Sequence, residues 1–491
     1  MRLLLLLVFL VPASMAAQEG HDHPAPEKLG TVSFPTSCLP AIQHDFNRAV
    51  ALLHSFAYSA AEEAFRKVAA RDPQCAIVHW GIAMTHYHQL WEPPLSAAAI
   101  SAGEKEIREA EMLERTSERE RGFVHALSLV FKDASSVPYS TRAANYEDAM
   151  RALAAANPKD EEAQVFYALA LLANASPGDK EHRKQKQAAD LLERLYLRFP
   201  DHPGIPHYLI HACDSQELAS RGLAAARAYS KIAPSAPHAL HMPSHIFTRL
   251  GLWDDSITSN LAAASAAHLQ GDTGEELHAM DYLVYAYLQS GRDQQAAGVI
   301  QRLRELQVKD QSEFKAGYAS TVMPIRYVVE RQQWSDAEKI VGPSGPALPQ
   351  VIAIAVWARG LGFARDGHSQ EAYRESETLR QLEERLRASG NGYWETQVGI
   401  ARREVMAWAA QAENKPREAA TLLRSAADEE DGIEKLPVTP GPIVPAREQL
   451  GELLLRQGDS AAASVAFRTA LANAPGRRGA LRGAALAAHS Q

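Results

Sequence analysis

The sequence predicts an all-α chain built from a repeated helix–turn–helix unit, and three observations predict it. Ala and Leu abound while runs of β-branched residues are scarce, which favours helix over strand. Small residues, a large apolar residue four positions later and a closing proline recur together along the chain. Two His-x-x-x-His pairs, His207/His211 and His241/His245, follow one another at an offset of 34 residues. That offset is the tetratricopeptide (TPR) period, in which helix A, a turn and helix B make one repeat. Such repeats bury their faces against their neighbours. The expectation is therefore a right-handed superhelical solenoid with a concave groove lined by A helices.

The chain opens MRLLLLLVFLVPASMAAQ, one positive charge followed by an apolar run and small residues. This pattern predicts a secretory signal peptide over residues 1–17 and an exported protein, periplasmic or secreted. The run is too short to span a bilayer, and no later segment is apolar enough, so no transmembrane segment is expected. Residues 18–36, which include GHDHPAPEK, read as a flexible N-terminal arm. The solenoid is expected over residues 37–491.

The repeats are legible one by one. Ala61, Phe65, Val68 and Pro73 make the second half of an early copy. Met150, Leu153 and Pro158 mark another, as do Ala188, Leu192, Leu195 and Pro200, and then Gly222, Ala226, Tyr229 and Pro234. Gly251, Gly291 and Gly367 sit in later turns, each followed five residues on by Ser256, Ala296 and Ala372. The last copy is clearest, with Gly451, Leu454, Gly458, Ala463, Phe467, Ala470 and Pro475. Two stretches depart from the pattern. Residues 89–140 are expected to insert one or two extra helices between the second and third units. Residues 428–446 carry four prolines and should form an ordered extended linker or loop.

A net charge of −8 with no concentrated basic stripe argues against nucleic acid as a partner. Of the three cysteines, Cys38 and Cys75 are the natural pair if export allows a bridge, although sequence alone leaves their separation open. Cys213 reads as a small buried apolar residue.

Chemistry concentrates in the central histidines. His207 and His211, like His241 and His245, are one helical turn apart and share a face. In TPR register they fall on the groove-facing stripe, with His238 and His278 on the same stripe of their repeats and Asp281 one turn beyond His278. Imidazole is the commonest transition-metal ligand and suits copper, zinc or iron. His207, His211, His241 and His245 are the expected direct ligands. His238, His278 and Asp281 are expected as further ligands or as groups that orient them. Pro206 and Pro243 should lie near helix starts, where a missing N–H is tolerated; further in, Pro243 would bend the helix beside the cluster.

Three other readings stay open. The site can serve a metal-dependent enzyme, oxidoreductase or hydrolase. The groove can bind a peptide or protein without metal, with Trp80, Tyr208 and Phe247 as aromatic anchors. The histidines can also form an interior hydrogen-bond network that spaces the helices. Walker A, His-Glu-x-x-His and Gly-x-Ser-x-Gly signatures are missing from the sequence.

Four stretches add a resemblance: FNRAVALLHSFAYSAAEEAF (46–65), CAIVHWGIAMTHYHQLWEPP (75–94), PHYLIHACD with APHALHMPSHIFTRLG (206–214 and 236–251), and VTPGPIVPAREQLGELLL (438–455). In these the chain resembles a family of exported bacterial TPR proteins, with His-Met-Pro-Ser-His as the most specific segment. The resemblance implies export, repeats and the family's His motifs at His54, His207, His211, His238, His241 and His245, and supplies no activity. Where relatives carry His-Asn-x-His this chain has His278-Ala-Met-Asp281, so an aspartate stands where a second histidine would be.

Overall fold

The computed structural model describes residues 27–90, 95–306, 308, 314–343 and 346–490. The expected signal peptide and the first half of the arm lie outside them. The described chain is an all-α solenoid of the TPR type. Its first repeats pair α1 (Gln43–His54) with α2 (Tyr58–Arg71), α3 (Ala76–Met84) with α4 (Ala97–Met112), and α5 (Glu118–Phe131) with α6 (Tyr139–Ala156). The central repeats pair α7 (Glu161–Ala173) with α8 (Arg183–Tyr196), and α9 (Gly204–Ala212) with α10 (Ala219–Ile232). Next come α11 (Pro237–His241) and α12 (Pro243–Arg249) against α13 (Trp253–Gln270), then α14 (Thr273–Gln289) with α15 (Asp293–Glu305). The C-terminal half runs through α16 (Phe314–Glu330), α17 (Trp334–Ala337), α18 (Pro349–Arg365), α19 (Ser369–Ala388), α20 (Gly392–Ala412) and α21 (Pro416–Glu430). It ends with α22 (Ala446–Arg456), α23 (Ser460–Asn473) and α24 (Arg478–His489). No described helix is long and apolar enough to cross a membrane.

The consensus positions act as their chemistry requires. A Cβ on Gly81 would lie 2.5 Å from the Phe65 ring, and one on Gly451 would lie 2.7 Å from Phe467. Helices A and B therefore cross closely only because one side chain is missing and the opposite one is large. Polar caps start several helices: Ser117 and Glu120 form a capping box on α5, Asp160 caps α7, and Asp272 caps α14.

Two expectations are corrected here. Among its described residues the stretch 89–140 holds no supernumerary helix: α4 packs on α3 as its helix B, and α5 packs on α6 as the next helix A. The repeat continues through this stretch without its consensus residues. The arm is also not free along its whole length. Leu29, Val32 and Phe34 are buried, and Phe34 packs against Phe46, Trp80 and Phe123. Thr31 N–H donates to the Asp201 carbonyl (2.9 Å) and Ser235 N–H to the Lys28 carbonyl (3.2 Å), so this segment straps two inter-repeat turns. Burial of three apolar side chains offsets the entropy of ordering a short segment. Cys38 and Cys75 form a disulfide within the same core, and Cys213 is buried as a free thiol.

The C-terminal repeat folds back onto the centre. Arg477, fully buried, pairs with Glu330 (3.0 Å) and Glu448 (2.7 Å). Trp253 Nε1 donates to the Gly476 carbonyl (3.3 Å). The non-helical segment between α21 and α22, residues 431–445, enters the central groove as a consequence. Tyr282 donates from its hydroxyl toward the Pro437 (3.2 Å) and Thr439 (3.1 Å) carbonyls, and Arg326 donates to those of Gly441 and Pro442 (both 3.3 Å). The chain thus covers its own groove with the proline-rich stretch.

Candidate metal centre

The structure brings six of the seven sequence-expected residues together, as two triads. His207 and His211 project from α9 and are joined by His238 from α11. His241 and His245, from α11 and α12, are joined by His278 from α14. In each triad the ligand-capable atoms lie within 4.8 Å of one another, and all six residues are buried. Each triad therefore takes two histidines from one helix A and the third from the next. Pro243 interrupts the helix between His241 and His245, but Met242 keeps helical dihedrals (φ −53°, ψ −36°). The interruption leaves the two imidazoles on one face.

Asp281 does not join them. It sits three residues after His278 on α14 and turns to Arg326, whose Nε lies 3.4 Å from its Oδ1. Burial raises the Asp281 carboxyl to about 6 against the pull of Arg326. Its Oδ1 anchors, through Arg326, the segment over the groove, while its buried Oδ2 has no hydrogen-bond partner among the described residues. The aromatic anchors expected for a peptide are likewise committed inward, with Trp80 and Tyr208 in the core and Phe247 nearly so.

The groups that orient the triads come from other repeats. His241 Nδ1 donates to Asn260 Oδ1 (2.6 Å), and Asn260 Nδ2 donates to the Ser256 carbonyl (2.8 Å), which fixes the amide with its oxygen toward the ring. His245 Nδ1 donates to Asp214 Oδ2 (2.9 Å). Burial would raise the Asp214 carboxyl, but Lys435, Arg249 and His245 hold it well below the usual carboxylate range. Asp214 is thus an anion and an obligate acceptor. With both Nδ1 atoms protonated, His241 and His245 present bare Nε2 lone pairs to each other at 3.0 Å. Two lone pairs at hydrogen-bond distance repel unless a positive species lies between them. A proton is disfavoured there, because burial lowers His241 well below its ordinary value and brings His245 to about 4. Two nitrogens on one ion, each at about 2.0–2.1 Å, would stand about 2.9–3.4 Å apart. The donor set fits a transition metal.

In the other triad, His207 Nδ1 donates to the His54 carbonyl (2.5 Å), and its Nε2 meets His211 Nε2 at 3.2 Å. His211 Nδ1 is buried with no hydrogen-bond partner among the described residues. His238 Nδ1 lies 3.2 Å from Glu275 Oε2.

A third cluster was not singled out from the sequence. Glu162 accepts from His54 Nε2 (2.8 Å) and His202 Nε2 (3.1 Å). Tyr208 OH donates to His54 Nδ1 (2.9 Å) and Gly204 N–H to His202 Nδ1 (3.1 Å). A Cβ on Gly204 would lie 2.6 Å from His54 Nδ1, so only glycine fits. Cys38, Asp72 and Cys75 also cluster, but their two sulfurs are bonded to each other. A cavity of about 260 Å³ borders segment 431–445, lined by Tyr318, Trp357, Tyr393 and Trp394, and none of the six histidines lines it.

Fold and site together define a helical-repeat protein of the TPR type with a buried histidine cluster in its central repeats. No family model matches the chain. No curated protein matches it either. Among solved structures it is similar to the TPR domain of P58(IPK), at 14% identity over 92% of this chain and 98% of that one, with a TM-score of 0.24. It is similar to a chain of the APC/C hetero-tetramer Cut9–Hcn1 at 12% identity, over 91% of this chain and 76% of that one, with a TM-score of 0.36. Yeast Tom70 gives 12% identity, 91% and 88% coverage and a TM-score of 0.31. At these identities and TM-scores the likenesses say nothing about the histidines.

Proposed function

We propose that this chain is an exported TPR-type protein that holds a transition-metal ion in its central repeats through His241, His245 and His278. One observation carries the reading: His241 and His245 face each other through Nε2 at 3.0 Å while both Nδ1 hydrogens are committed to Asn260 and Asp214. Neutral imidazoles in a buried site suit copper, zinc or iron. Export is supported by the apolar leader in the sequence and by the Cys38–Cys75 bridge, a bond that persists in oxidising compartments.

A metal-dependent enzyme is the second reading, favoured by three protein ligands rather than four. Such a count leaves a coordination position for water or substrate, where a bound metal polarises what it holds. The residues around it would exclude water, with Tyr282 and segment 431–445 closing the groove. A peptide or protein partner in the groove would have to displace that segment first.

Elemental analysis of the full chain tests the proposal. The wild type is expected to carry metal as isolated or after loading, and the H241A/H245A double variant is expected to lose the ion held by this triad while keeping its helical circular dichroism. Absence of metal from both native and loaded wild type would overturn it.

A further inference from the structure

We infer that the two triads hold two ions as one dinuclear centre, with His207, His211 and His238 binding the second; this rests on the metal reading above. The first observation is repetition. His207 and His211 recur as His241 and His245 after 34 residues, and each pair recruits its third histidine, His238 or His278, from the following helix A. The second triad is a structural copy of the first, displaced by one repeat along the solenoid.

Contact between the triads is the second observation. His211 and His245 have ring centroids 5.9 Å apart, and His238 and His241 are 6.0 Å apart. Within one triad the spread is as large, with His245 and His278 at 6.3 Å. The gap between the sites is thus no wider than a gap inside one. His238 and His241 leave the same short helix, so one helix serves both ions.

The third observation is a buried nitrogen with no hydrogen-bond partner among the described residues. If His211 donates from Nε2 to His207, its buried Nδ1 is a bare lone pair; if it carries the hydrogen on Nδ1, that hydrogen is unmatched and two Nε2 lone pairs face each other at 3.2 Å. No tautomer of His211 pairs both nitrogens among the described residues. An ion shared with His207 removes the repulsion between the facing Nε2 atoms, as at His241 and His245. Carboxylates stay in supporting positions, Glu275 beside His238 and Asp214 beside His245. Those two carboxylates are already shared with cations, Glu275 with Lys315 and Asp214 with Lys435 and Arg249, which favours a small anion or oxygen ligand between two ions.

Copper(II) is the probe, because it binds nitrogen sites more tightly than its divalent neighbours and carries one unpaired electron. The full chain is produced with copper supplied as it folds, oxidised, and measured for copper per chain and for spins per copper by electron paramagnetic resonance. Two coppers per chain are expected, with either a spin count well below two or a half-field transition. H207A/H211A is expected to bind one copper with a full, uncoupled spin, and the milder His238→Gln to lose the coupling signal. Two coppers with two independent spins and no half-field transition would overturn the dinuclear centre while leaving the metal reading intact. One copper in wild type and H207A/H211A alike would do the same. No copper at all would remove the metal reading itself. The wild-type measurements decide the matter even where a variant fails to fold.

Discussion

The His54–Glu162–His202 cluster and the His241–His245–His278 triad are two buried knots of titratable groups, both compact enough to hold an ion. They differ in hydrogen inventory. Around Glu162 every ring nitrogen meets a group of the opposite role: two N–H donors share one carboxylate, and the two remaining lone pairs receive a hydroxyl and a backbone N–H. Around His241 and His245 both hydrogens point outward to Asn260 and Asp214, and two acceptors are left facing each other. The first cluster is complete without an ion and the second is not. Composition does not separate them; the direction of each hydrogen does.

The largest separation is expected in acid. Burial lowers His245 to about 4, so between the unfolded value of 6.5 and about 4 the unfolded chain binds the additional proton. Stability and metal retention are both expected to fall as pH drops through that window, since protons compete for the same nitrogens. Burial works against ionised Glu162, but His54 and His202 bring it down to about 2 from 4.5. Its contribution is present above about 4.5 and is lost only as pH falls toward 2. Metal content and thermal melts across pH 7 to 2 should show two steps, metal first. Simultaneous loss would erase the distinction between the clusters.

Removing an orienting acceptor is expected to act more gently. Asn260→Ala takes away the partner of His241 Nδ1 and frees the ring to rotate. Loss of such a partner typically weakens metal affinity about 10–100-fold. Competition with a calibrated chelator measures it, and an unchanged affinity would mean that Asn260 does not set the His241 tautomer. Glu162→Gln should do the reverse, leaving metal content unchanged while destabilising the fold by about 1.5–3 kcal/mol, the scale of hydrogen bonds to a charged group. Denaturant unfolding with parallel metal analysis checks both halves of that expectation.

Much of this was legible in the sequence, and what was not has a physical cause. The 34-residue offset, one-turn spacing and repeat register put six histidines on one stripe, and the structure gathers them in two triads, because repeat period and helix pitch together fix direction as well as position. Asn260 and Glu162 carried no such signal. Glu162 lies in the first turn of α7 beside Glu161, where acidic residues are expected as partners of the helix dipole. Glu275 has the same disguise in α14. The α4–α5 stretch lacked consensus residues although the alternation of A and B helices never stopped. In the arm, Leu29, Val32 and Phe34 were a usable signal, three apolar residues within a polar terminus.

Asp281 stands apart from both triads, and it yields the smallest expected effect. Residues three apart lie on neighbouring but not identical directions of a helix. His278 looks into the triad, whereas Asp281 looks toward α16 and takes Arg326. Arg326 is the more committed partner, since it also donates to the Gly441 and Pro442 carbonyls. Asp281→Asn keeps the shape and an acceptor oxygen while removing a carboxyl that burial already brings to about 6. It is expected to leave metal content unchanged and to cost about 1 kcal/mol, the scale of one buried hydrogen bond. Its thermal melt should also lose a pH dependence that Asp281 otherwise confers. The folded value lies above the unfolded one, so the group favours folding most below about 4 and least above about 6. Elemental analysis that found metal lost in Asp281→Asn would return the aspartate to the coordination sphere.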